Sequence, residues 1–134
     1  MCSTMDDIAA AYRTVIAELY AAGCRNIQFD DCTWGMVCDK SFWETMTGCG
    51  YDVENLMQFY LEVNNKALEG HPADLVINTH VCRGNYHSTW ASKGAYDVVA
   101  PLLFENENVN SFYLEYDDER SGGFEPLKHV AANK

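Results

Sequence analysis

The chain has 134 residues, enough for one ordinary domain, and its 48% hydrophobic content with only three prolines marks it as a core-forming chain rather than a disordered one. A formal net charge of -11 and a pI of about 4.5 argue against an electrostatic grip on nucleic acid or on an anionic membrane. No run is long and apolar enough to span a bilayer. The start, "MCSTMDDIAAAYR", lacks a basic region followed by an apolar core, so the expected location is cytoplasmic. There the six cysteines, which form no CxxC pair, are expected to stay reduced.

In chain order, "TMDDIAAAYRTVIAELYAAG" reads as a helix with Thr4 or Asp6 as cap, Gly23 as stop, and Ile8, Tyr12, Val15, Ile16 and Leu19 as its buried stripe. "RNIQFDD" is a short β-prone segment ending in acid. A long loop is expected through Trp34, Gly35 and the Gly48-Cys49-Gly50 turn. "DVENLMQFYLEVNNKALEG" is a second helix capped by Asp52 and closed by Gly70. "ADLVINTHVC" is the second strand, "GAYDVVAPLLFEN" a short helical segment starting near Pro101, and "VNSFYLEYDD" the third strand. This alternation predicts parallel strands joined by crossover helices.

Side chains alternate faces along a strand. Val76, Asn78, His80 and Cys82 therefore share one face, as do Asn26, Gln28 and Asp30, and as do Ser111, Tyr113 and Glu115. The opposite faces carry Ile27 and Phe29; Leu75, Ile77, Thr79 and Val81; and Phe112, Leu114 and Tyr116. Each strand has one apolar face suited to outer helices and another that turns polar towards its carboxyl end. A (β/α) barrel presents its active site in this way, and Asp30, His80, Cys82 and Glu115 would converge on one mouth. His80 and Cys82, two apart on a strand, can bind one ion: zinc accepts a thiolate, an imidazole and a carboxylate such as that of Glu115. A hydrogen-bonded core histidine beside a buried cysteine explains the pair equally well, and the residues alone leave both open.

"NIQFDD", "INTHVCRGNY" and "FYLEYDDERSG" together resemble the catalytic barrel of cobalamin-independent methionine synthase and its shorter single-barrel relatives; "HVCRGN" resembles the short relatives most. The resemblance runs from the first helix to the region of Lys128. It implies a partial (β/α)8 TIM-barrel fold with about three parallel strands and flanking helices, residues 1–134 forming one partial catalytic-barrel domain of a longer barrel. It implies zinc-dependent methyl transfer from a methylated folate-type donor to the thiol of homocysteine, giving methionine. His80 and Cys82 match the family's HxC zinc ligands, Glu115 its carboxylate ligand, and Asp30 the acid that holds the substrate's amino group. Two departures stand out. The family's last zinc cysteine lies well beyond the position of Glu115, and this chain has no cysteine after Cys82. A complete barrel also takes about 250 residues. Alternatives are a different thiol acceptor or methyl donor, or a non-catalytic remnant that binds metal or a partner chain; open strand edges suggest self-association or pairing with a complementary fragment.

Other features have plainer readings. His87 is expected in an exposed loop, and Trp34 and Trp90 in core or lid packing, although each could meet a substrate. Arg83 could meet a substrate carboxylate or pair with one of the chain's acids. Cys32 or Cys38 could replace the missing zinc ligand. Asp117, Asp118, Glu119 and Arg120 read as a solvated turn.

Overall fold

Three segments rich in β-branched and aromatic residues pair side by side in the computed structural model, which describes residues 3–134. Cys2 lies outside the described residues, and the other five cysteines are unbridged. Strands β1 (Asn26–Asp30), β2 (Val76–Val81) and β3 (Ser111–Leu114) form a parallel sheet in the order β1-β2-β3. The register sets Asp30 beside His80 and Val81 beside Leu114, so the carboxyl ends of the strands are level. Parallel neighbours need crossovers, and helices α4 (Val53–Leu68) and α5 (Ala100–Asn106) supply them. Helix α1 (Ser3–Ala21) precedes β1 and packs along α4.

The expected caps hold for α4: the Asp52 side chain accepts from the Asn55 N–H at 3.1 Å, and Gly70, at φ 75°, sits just past the end. Pro101 falls in the first turn of α5, where its missing N–H removes no helical bond. The expected loop after β1 is instead two helices, α2 (Cys32–Val37) and α3 (Lys40–Gly48). Asp31 and Asp39 cap them, accepting from the N–H groups of Thr33 and Ser41 at 3.0 and 2.9 Å. The Trp43 indole donates to the Val37 carbonyl at 2.6 Å and ties the pair together. These helices are too short to show a periodic apolar stripe; their side-chain caps specify them.

The parity reading holds. Ile77, Thr79 and Val81 are buried under the helices, and on the other face Val76 and Tyr113 stay exposed. One core gathers Trp34, Val37, Tyr96, Val99, Leu103 and Phe104; a second, at the other end of the strands, gathers Ile16, Ile27, Leu68, Leu75, Ile77 and Val109. The stripe expected on α1 is corrected. Ile16 is buried, with Ala9 beside it, whereas Ile8, Tyr12, Val15 and Leu19 remain exposed. β1 is an edge strand, and among the described residues no element lies beyond it to cover that side of α1.

Candidate metal centre

The sheet ladder carries past the end of β1: the Asp31 N–H donates to the His80 carbonyl at 2.8 Å, which fixes the ends of β1 and β2 against each other. One ligand atom each from Asp30, His80 and Cys82 then lies within 4.8 Å of the others. Helix α2 approaches this point closely. A Cβ on Gly35 would collide with the Cys82 carbonyl oxygen, so only glycine lets α2 pack there. After Cys82 the chain turns at Gly84, whose φ of 72° allows its N–H to donate back to the Cys82 sulfur at 3.2 Å.

His80 is held from both sides. Its Nδ1 lies 2.9 Å from Asp30 Oδ1 and its Nε2 lies 3.2 Å from Glu115 Oε1. A neutral imidazole has one N–H and can satisfy one of these carboxylates; the other nitrogen then turns a lone pair towards an anion. A second proton or a cation between the groups resolves that conflict. With a nitrogen, a sulfur and carboxylate oxygens converging, the donor set is one that zinc accepts, so the residues fit the ion.

Glu115 joins the group through His80 rather than as one of the three mutually close ligand atoms. Its position is nonetheless well fixed. Arg120 Nη2 donates to Oε2 at 2.9 Å, the Asn85 amide donates to Oε1 at 2.7 Å, and the Glu115 N–H donates to the Tyr96 hydroxyl at 3.1 Å. The Arg120 and Glu115 side chains are 7% and 13% exposed, so this pair is shielded from solvent. Trp90 lies over the guanidinium, 4.7 Å from ring centroid to Cζ. The solvated turn expected at Asp117 to Arg120 is thus corrected at one residue. The chain turns there and Asp117 is exposed, but Arg120 points inward to grip Glu115, because a buried carboxylate needs a charged partner.

Asp30, expected against a substrate ammonium, contacts His80 with one oxygen, and its side chain is 66% exposed. Arg83, expected against either a substrate carboxylate or one of the chain's acids, is fully buried and among the described residues has no acidic partner; its guanidinium stacks 4.4 Å from the Tyr96 ring centroid. Cys38 sits in the core, where burial pushes its thiol up to about 11, and Cys32 is exposed on α2. Among the described residues neither joins the His80 cluster. Trp34 is core, and His87 is exposed in its loop. The sequence reading passed over Asn85 and Glu107, and placed Arg120 in a solvated turn. Only Arg120 left a signal: a lone cation in an acidic run five residues after Glu115.

No family model matches the chain. It is 42% identical over 124 residues to the uncharacterized protein YxjH of Bacillus subtilis (strain 168), a match covering 92% of this chain and 33% of that protein. It is 39% identical, with the same coverage, to the uncharacterized protein YxjG of the same organism. The chain thus spans about a third of the length of the curated relatives it matches. Among solved structures it is similar to the "Putative Vitamin-B12 Independent Methionine Synthase" from Listeria monocytogenes, with a TM-score of 0.66 and 36% identity over 84% of this chain and 30% of that one.

Proposed function

We propose that this chain carries the thiol-acceptor site of a zinc-dependent methyltransferase, with homocysteine as the acceptor, a methylated folate-type compound as the donor and methionine as the product. The observation that carries this reading is the convergence of His80 and Cys82 at the carboxyl ends of parallel strands, with Asp30 and Glu115 on the two nitrogens of the His80 ring. The likeness to a chain described as a methionine synthase supports the acceptor and donor. A (β/α)8 barrel completed by further strands agrees with the parallel sheet and its two free edges.

His80, Cys82 and Glu115 would hold the ion. Bound zinc supplies the positive charge that deprotonates a coordinating thiol, which with a pKa of about 8.5 is otherwise mostly protonated at neutral pH. The protein's own groups do the rest. Asp30 keeps the His80 ring in place through Nδ1, as carboxylates commonly do for ligand histidines. Arg120 and Asn85 fix Glu115, and the Gly84 N–H orients the Cys82 sulfur. Asp30 stays accessible enough to pair with the ammonium of an amino acid lying across the open face. The uncovered Val15, Leu19, Val76 and Tyr113, with the free strand edges, favour self-association or pairing with a complementary chain.

The test is calorimetry on the zinc-loaded chain. Homocysteine should bind with proton release, and homoserine, which lacks the thiol, should not bind. Asp30→Asn should keep the zinc, since an amide oxygen can still accept from His80, but weaken homocysteine by roughly 1.5–3 kcal/mol. Equal binding of the two amino acids would refute the acceptor assignment.

A further inference from the structure

A cavity of about 320 Å³ lies between α1, α4 and the helix-covered face of the sheet. His80 and Cys82 do not line it, and Asp30, which contacts His80, is shared between the two places. Tyr12, Phe29, Phe59 and Tyr60 give it aromatic walls. Its polar lining is unusual. Glu107 is 2% exposed and its Oε1 accepts from the Asn64 amide at 2.8 Å, while Oε2 has no partner among the described residues. Thr79, equally buried and lining the same cavity, also has an unpartnered hydroxyl. Asn64 spends its second N–H on Asp31 Oδ2 at 2.8 Å, so it has none left for Glu107 Oε2.

We propose that this cavity binds a small apolar ammonium, a primary alkyl or aralkyl amine, with Glu107 as its counter-ion. The ammonium would donate to Glu107 Oε2 and to the Thr79 hydroxyl, and its apolar body would lie among the aromatic rings, whose faces also attract cations. An anion is repelled by Asp31 and Glu107 together. A neutral alcohol could fill the space but would leave the carboxylate without a counter-charge. Burial, the largest influence, pushes the Glu107 carboxyl up to about 7, with Asp31 raising it further while the Asn64 bond and Lys134 oppose. A cation in the cavity would favour the ionised form. This inference does not depend on the metal site.

The experiment is calorimetric titration of the full chain with n-butylammonium chloride and, in parallel, n-butanol. Saturable one-to-one binding of the amine at pH 8 is expected, about tenfold or more tighter than the alcohol. At pH 6, where about a tenth of a group with a pKa of about 7 is ionised and the amine remains a cation, binding should weaken several-fold. Glu107→Gln should lose the amine while keeping zinc uptake, and Val63→Trp, which fills the cavity with Glu107 intact, should lose it too. Absence of saturation, equal affinity for the alcohol, or unchanged amine binding by Glu107→Gln would overturn the proposal.

Discussion

A glutamate shielded from solvent lies on each side of the sheet, Glu107 buried and Glu115 mostly so, and the two are treated in opposite ways. Glu115, on the open face, receives Arg120, Asn85 and a contact from His80, so both of its oxygens are engaged. Glu107, on the helix-covered face, has Asn64 on one oxygen and, among the described residues, nothing on the other. The first is a carboxylate held in place and aimed by its partners. The second carries a desolvation cost that no neighbouring cation offsets by direct contact. A buried acid with a complete set of partners belongs to a built site; one left half-satisfied beside a cavity points to something that enters it.

The largest expected effect tests what the covered face contributes to folding. Ile77, fully buried between sheet and helices, should cost about 2–5 kcal/mol when cut to alanine, read by denaturant unfolding. Gln28→Ala on the exposed side of β1 should fall within about 0.5 kcal/mol of the parent. Equal costs would mean the two faces are not differently packed.

Next comes Glu107 itself. Its folded-state carboxyl titrates near 7 against an ordinary 4.5, so the folded protein binds the extra proton. The associated stability is fully present below about pH 4.5 and is lost as pH rises through about 7, on the order of 3 kcal/mol in all. Melting temperature should therefore fall across that window, and Glu107→Gln should flatten the slope and be the more stable form at pH 8. An unchanged slope in the variant would assign the pH dependence to other groups.

A smaller effect sharpens the contrast from the other side. Arg120→Gln should lower zinc affinity about 10–100-fold by releasing Glu115, measured by competition with a chelator. Arg120→Lys should recover part of it, because a single ammonium can reach Oε2 but lacks the planar fork and the stack under Trp90.

The strand cores, the long helix α4 with its Asp52 cap, and the parity that brings Asp30, His80 and Cys82 to one end were legible from local pattern, because period and capping are properties of neighbouring residues. Helices α2 and α3 were not, since each rests on a single aspartate cap and a tertiary contact rather than on a repeat. The stripe on α1 was read as buried because periodicity reports an apolar face without saying what covers it. Arg120 reaching Glu115 depends on the chain turning back within five residues, and Asn64 bridging Asp31 to Glu107 depends on the fold bringing together residues up to 43 positions apart. No local signal in Asn64 announces that role.

The most direct test of the metal centre is cobalt loading of the purified chain, followed by absorption spectroscopy and then displacement by zinc. The unmodified chain should take up one cobalt ion with a thiolate-to-metal charge-transfer band, and zinc should bleach it. Cys82→Ser should lose the band and nearly all the metal, because a neutral hydroxyl replaces a thiolate. Uptake without a thiolate band, no uptake at all, or a Cys82→Ser protein that keeps its metal would contradict a site built on His80 and Cys82.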